Sequence, residues 1–211
     1  MLKIYLIRHG ETNFNKEKRL QGGIETELNE KGIEQSNRLA KTLASEIPKV
    51  DFLFTSPQIR ARQTAEILYQ TFQEKQIPIE QFEMNELLRE IRCGRWEGKL
   101  INEIEKEEPE LFFLVKNSVN VPYPEGESIM DVKNRAEKFF SHLYSLNNHS
   151  NLTTIIVSHG TYIKTLSSVI LSFPLEFSLK TILSNTGTSL IEEKDRPLNF
   201  KLIYWNSTKH L

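Results

Sequence analysis

Two stretches of this chain end alike. Residues 4–7 (IYLI) run into Arg8-His9-Gly10, and residues 155–157 (IIV) run into Ser158-His159-Gly160. Each is a short apolar, β-branched run that stops at a polar residue, a histidine and a glycine, and so reads as a strand leaving a sheet. In an open α/β sheet, ligands bind beyond the carboxyl ends of the strands. Two of the five histidines fall there, and the glycines after them are expected to let backbone approach a ligand closely. A third junction, residues 52–55 (FLFT) into SPQIRARQTA, places Arg60 in the first turn of a helix with Ser56 as N-cap and Pro57 as first residue. Helix N-termini favour anions, and Arg8 and Arg60 each offer a planar fork that fits phosphate oxygens. Alone, Arg60 and Arg62 would read as solvated surface residues. Beside two strand-end histidines and Arg8, Arg60 fits a phosphate pocket better.

These residues need elements that bring them together. Strands are expected at 3–8, 51–55 and 153–157, with weaker ones at 79–84, around 189–191 and at 200–205. Between them run helical patterns. From Glu30 to Ile47, the residues Ile33, Ala40, Leu43, Ala44 and Ile47 share a face, and Pro48 stops the helix. The helix from Ser56 continues through Ala61, Ala65, Leu68 and Phe72. Ser128, with Asp131 three residues on, opens another that turns Ile129, Val132, Ala136, Phe140 and Leu143 inward. A last one follows His159-Gly160, with Ile163, Leu166, Ile170 and Phe173 on one side. Alternating β and α units predict one α/β domain over residues 1–211, a three-layer α/β/α sandwich around a mostly parallel sheet. Residues 100–127 (LINEIEKEEPELFFLVKNSVNVPYPEGE) break the alternation and predict one or two short helices and a loop. Such an excursion can form a lid over a site, or a peripheral insertion.

Composition narrows the classes. The net charge of −1 gives no general attraction to nucleic acid or anionic lipid, so any anion must be met by locally concentrated positive charge. Cys93 is the only cysteine, which excludes an intrachain disulfide and a cysteine-based zinc site. The opening apolar run is too short for a signal peptide, and no stretch approaches a membrane span, so a cytoplasmic setting is expected.

The motifs then resemble a known family. LIRHGETNFN at the start is similar to the signature of the histidine phosphatase superfamily, with its phosphoglycerate-mutase-like fold. The resemblance extends in family order through LQGGIETELNEKG, TSPQIRARQTA, LLREIRCGRWEG, PEGES, IIVSHG, SNTG and the terminal HL, over nearly the whole chain. It implies that His9 attacks phosphorus and becomes phosphorylated, and that Arg8, Arg60 and His159 hold the phosphoryl oxygens. It implies that Glu90 protonates the leaving oxygen. Asn15, Gln21, Gly22 and Gly160 would lie at the edge of the substrate pocket. The resemblance brings no cofactor and no metal. Its partner is a small phosphorylated metabolite, and a homodimer through an edge strand or a surface helix is possible in the family. Physical reasoning agrees: two guanidinium groups and a second imidazole can stabilise a transferring phosphoryl group without a metal. Cations beside His9 would also keep its ring unprotonated, hence nucleophilic. Trp96 and Glu97 are expected to pack or cap the loop after Glu90.

Several activities compete. The phosphatase branch is favoured over a phosphoglycerate mutase because the interval from Glu90 to His159 is short and the opening reads RHGETNFN. A non-catalytic phospholigand-binding module would be expected to lack the nucleophile or the proton donor, and both are present. A metal-dependent hydrolase would need carboxylate or histidine ligands at metal spacing beside His9 and His159, and none is evident. Within the phosphatases, broad-specificity, α-ribazole and phosphoserine phosphatases and sugar bisphosphatases all stay open. Phe112, Phe113, Val115, Val119, Val121 and Tyr123 could face a substrate or form the excursion's own core.

Overall fold

The structure is a computed structural model, and it describes residues 1–146 and 151–211. Among them, six strands form one mixed sheet: β1 (Leu2–Arg8), β2 (Val50–Thr55), β3 (Ile79–Met84), β4 (Leu152–Ser158), β5 (Thr188–Glu193) and β6 (Phe200–Ser207). Their spatial order is β3-β2-β4-β1-β5-β6. The pairs β2–β3, β2–β4 and β1–β4 are parallel, whereas β5 runs antiparallel to both β1 and β6.

Side-chain alternation along β1 explains the layers. Leu2, Ile4 and Leu6 enter a core with α6 (Ile129–Ser145) and α7 (Gly160–Leu171). Tyr5 and Ile7 enter the opposite core, with α2 (Glu30–Glu46) and α3 (Ile59–Glu74). The sheet is thus covered by helices on both faces, the expected α/β/α sandwich. Short helices α1 (Asn13–Glu17) and α8 (Phe177–Lys180) lie in connections. No helix among the described residues is long and apolar enough to cross a membrane.

Several helical details differ from expectation. Ile33 is 45% exposed, and the buried stripe of α2 runs instead through Gly32, Ser36, Leu39, Ala40 and Leu43. Ile33 lies to one side of that stripe, and the stripe is what touches the sheet. In α6 the core takes Phe139, leaving Phe140 half-buried against Phe200. Phe173 lies past the end of α7, where Ser172 turns into the left-handed region, and is 41% exposed. The capping box of Ser128 and Asp131 at the start of α6 is formed as expected.

The excursion contains two short helices, α4 (Ile101–Glu107) and α5 (Pro109–Asn117). Trp96, Ile104 and Val115 make a small core there, with Phe112, Val121 and Tyr123 packed against it. Val119 joins the main core, and Phe113 is exposed, so the six apolar residues share no single inner face. Trp96 Nε1 donates to Glu108 at 2.9 Å, closing this unit on itself.

Candidate active site

The sheet register assembles the site. Arg8 pairs with Ser158 across the parallel β1–β4 ladder, and the His9 N–H donates to the Ser158 carbonyl at 2.9 Å. His9 and His159 therefore leave the sheet side by side, their ring centroids 5.2 Å apart. Strand β2 ends beside β4, and the Ser56 N–H donates to the Val157 carbonyl. Ser56 Oγ lies 2.8 Å from His159 Nε2. Helix α3 starts at Ile59, with Gln58 as its N-cap, two residues later than expected. Pro57 and Gln58 are not helical, and Ser56 serves His159 besides accepting the Gln58 N–H at 3.3 Å. Arg60 still falls in the first turn.

His9 is 2% exposed, and its Nδ1 stands 2.7 Å from the Gly10 carbonyl. A carbonyl oxygen only accepts, so Nδ1 carries the hydrogen and Nε2 keeps a free lone pair. Burial pushes the His9 pKa well below 6.5, and the charges of Arg60 and Arg8 push it further. The result is a neutral imidazole of fixed tautomer next to two cations.

Arg60 is fully buried, and its two terminal nitrogens donate to the carbonyls of Ile24 (2.8 Å) and Gly22 (3.0 Å). Arg8 Nη1 donates to the Leu183 carbonyl at 2.6 Å. Burial lowers the pKa of both, that of Arg60 to about 10, so both are cations near neutrality. Eight buried side-chain polar atoms lack a hydrogen-bond partner among the described residues, and three of them are Arg8 Nε, Arg60 Nε and His159 Nδ1. Unpaired buried polar groups are costly, and they fit a site that awaits a polar ligand.

Glu90 sits across from these cations. Its Oε1 accepts from the Ile91 N–H (2.9 Å) and the Tyr162 N–H (3.2 Å), and its Oε2 from the Thr161 N–H (3.2 Å). The carboxylate thus caps α7 from a distant part of the chain, a place His159 holds only with its backbone. Each carboxylate oxygen has two lone pairs, so Oε2 keeps one free for a proton or a substrate oxygen. The five side chains expected to meet, Arg8, His9, Arg60, Glu90 and His159, are thus gathered at one end of the sheet.

The remaining expected residues support the site's frame. Asn15 is part of the capping box of α1, its Oδ1 accepting from the Thr12 N–H and from Asn185 Nδ2 at 3.1 Å. Gln21 Oε1 accepts from the hydroxyls of Thr12 and Thr26. The Gly22 carbonyl accepts from Arg60 and, at 2.9 Å, from Gln58 Nε2. The two histidine-flanking glycines differ in their surroundings. A Cβ on Gly10 would come within 2.6 Å of the Gly32 carbonyl, so Gly10 permits close packing of α2. A Cβ on Gly160 would make only ordinary contact with Arg8.

Four contributors lay outside the sequence reading of the site. Thr64 accepts from the Gly10 N–H at 3.0 Å and donates to the Arg60 carbonyl, tying α3 to the His9 loop. Asn185 Nδ2 donates to the carbonyls of His9 (3.0 Å) and Gly10 (3.1 Å). Gln58 accepts from the Glu90 N–H at 2.8 Å, and Arg135 donates to the Glu90 carbonyl at 3.1 Å. Asn185 had a signal in SNTG, and Thr64 and Gln58 in TSPQIRARQTA; nothing in the sequence marked Arg135. Glu97 behaves as expected of a capping residue, accepting from the N–H groups of Gly23 and Cys93. Among the described residues, no three His, Cys, Asp or Glu side chains gather as a metal ion would require.

Known proteins resemble this chain in sequence and in fold. Residues 4–207 match the family profile described as the histidine phosphatase superfamily (branch 1). A protein of Shigella boydii named "Probable phosphoglycerate mutase GpmB" is 32% identical, over 92% of this chain and 86% of its own. The structure of Bacillus stearothermophilus YhfR is similar at 32% identity and a TM-score of 0.82, over 100% of this chain and 99% of that one. Phosphoserine phosphatase of Entamoeba histolytica, solved as a mutant in complex with phosphoserine, matches at 28% identity and a TM-score of 0.83, over 100% of both chains.

Proposed function

The chain belongs to the histidine phosphatase superfamily, and from that premise we propose that it hydrolyses small-molecule phosphate monoesters, with broad specificity, through a phosphohistidine on His9. The observation that carries the reading is the free lone pair of His9 Nε2 beside the unpaired nitrogens of Arg8, Arg60 and His159. In the first step Nε2 attacks phosphorus and the bond to the ester oxygen breaks. The proton carried by Glu90 passes to the departing oxygen, which leaves as an alcohol. In the second step water attacks the phosphohistidine, Glu90 takes the water's proton, and inorganic phosphate leaves with neutral His9 restored. The arginines and His159 hold the phosphoryl oxygens throughout, where fixed donors in a buried site act most strongly.

The test is turnover of a metabolite phosphate panel by the wild-type protein and by His9→Ala, together with mass spectrometry of rapidly quenched protein. Expected are phosphate release from several monoesters, a phosphorylated His9, and a loss of roughly 10³-fold or more in the variant. Phosphate release at native speed from His9→Ala would overturn the reading, and a single dominant substrate would overturn its breadth.

A second reading is favoured by one observation, the 32% identical relative named as a mutase. A mutase returns the phosphoryl group to a second hydroxyl before water reaches it. Interconversion of 2- and 3-phosphoglycerate faster than phosphate release would establish that reading instead.

A further inference from the structure

Three arginines stand near the site, and their hydrogen-bonding states differ. Arg8 and Arg60 each keep an unpaired Nε. Arg135, on α6, has none. Its Nε donates to Glu127 Oε1 at 3.3 Å, its Nη1 to the carbonyls of Leu87 (2.8 Å) and Arg89 (2.6 Å), and its Nη2 to the carbonyl of Glu90 (3.1 Å) and to Glu127 Oε2 (3.5 Å). A guanidinium has five N–H groups, and all five are used. Arg135 is therefore a scaffold group with nothing left for a phosphate.

What it scaffolds is Glu90. Three carbonyls of the short stretch ending in that residue, those of Leu87, Arg89 and Glu90, hang on one planar fork, and lysine, with a single nitrogen, cannot span them. Glu127 completes the bracket from the other side. Its Oε2 accepts from the Arg92 N–H at 2.9 Å, and its own N–H donates to the Arg92 carbonyl at 2.9 Å. Arg135 also lies over the ring of Tyr162, 5.0 Å from its centroid, and the Tyr162 N–H is one of the donors to the Glu90 carboxylate. One side chain thus fixes the backbone from which Glu90 projects and braces the helix end on which its carboxylate rests.

We propose that Arg135, paired with Glu127, is the positioning residue of the proton donor Glu90, setting the distance from Oε2 to the leaving oxygen while making no hydrogen bond within the phosphoryl cup. This rests on the reading of Glu90 as general acid. A misplaced acid harms esters whose oxygen must be protonated to leave, and it spares those that depart as stable anions.

The test compares phenyl phosphate with 2,4-dinitrophenyl phosphate in single-turnover release of the phenol by the full chain. The proteins are wild type, Glu90→Gln, Arg135→Met, Arg135→Lys and Glu127→Gln, each checked by thermal unfolding. Expected for Arg135→Met is roughly a 10²-fold loss on phenyl phosphate, with the dinitrophenyl ester slowed less than about threefold by the same measure. Arg135→Lys should behave nearly as badly, and Glu127→Gln should show the same selectivity more weakly. If Arg135→Met does not fold, Arg135→Lys and Glu127→Gln carry the comparison. Equal losses on both esters, or none on either, in folded variants would overturn the proposal while a selective loss in Glu90→Gln kept the assignment of Glu90. A Glu90→Gln protein without selectivity would overturn both.

Discussion

The rings of His9 and His159 stand 5.2 Å apart and tilted by 59°, yet neither hydrogen-bonds to the other. Nδ1 of His9 serves the Gly10 carbonyl, and Nε2 of His159 faces Ser56 Oγ. Each ring is anchored outside the pair, which leaves His9 Nε2 and His159 Nδ1 for whatever enters the site. Both rings are held neutral by burial and by Arg60, well below the ordinary histidine value of 6.5.

The acid side of the pH–rate profile follows from this. Formation of the phosphohistidine should stay at its plateau as pH falls through 6.5 and decline only well below it. Arg60→Met removes the largest charge acting on His9, so the acidic limb should move upward, towards 6.5. A wild-type limb already centred at 6.5 would contradict the neutral-imidazole arrangement.

Stability should follow pH in the same window. Unfolded, both histidines take up a proton near pH 6.5; folded, they resist it. Below pH 6.5 the unfolded chain binds more protons, so stability is complete above that pH and drains as pH falls towards the depressed native values. Each histidine can contribute a slope of up to about 1.4 kcal/mol per pH unit. His159→Asn should flatten the fall of the melting temperature between pH 6.5 and 5 (flanking values set by the ordinary histidine range). An unchanged slope would mean that His159 is not buried neutral.

Thr64→Val tests the link between α3 and the His9 loop. Valine keeps the shape but leaves the buried Gly10 N–H unpaired, a cost of about 1–3 kcal/mol. Loss of the strut should also slow phosphohistidine formation, because the Gly10 carbonyl sets the His9 tautomer. A variant with wild-type melting temperature and rate would show the strut to be idle.

Gly22→Ala should weaken phosphate binding from a distance. Gly22 has φ +51, and a Cβ there would come within 2.2 Å of Glu97 Oε1 and 2.9 Å of the Cys93 N. Strain of about 1–3 kcal/mol is expected, with displacement of the carbonyl that holds Arg60 and Gln58. Isothermal titration with inorganic phosphate would show the loss of affinity, and an unchanged affinity would rule out this route.

Activity should survive incubation with a strong chelator, since the proposed chemistry relies on guanidinium and imidazole groups. Loss of turnover that zinc or magnesium restores would contradict it.

The sandwich and the histidine junctions were legible in sequence because β-branched runs and helical periods are local signals. The register that sets Arg8 opposite Ser158 was not, since it depends on pairing across most of the chain. The same holds for the choice of Phe139 over Phe140, where neighbouring residues of one type differ only in what the fold puts opposite them. Arg60 was readable as a cation near the site. Its burial and its grip on the Gly22 and Ile24 carbonyls were not, because their acceptors are backbone atoms, which leave no mark in residue type. Arg135 went unseen for the same reason.

Strand β1 is the first part of the sheet to be synthesised, yet both its neighbours, β4 and β5, come from beyond residue 150. It must wait, open on both sides and rich in isoleucine and leucine, until most of the polypeptide has been made. Contacts so distant in sequence form slowly and leave apolar edges exposed meanwhile. The nascent chain should therefore be inert and in need of protection until its final third has emerged.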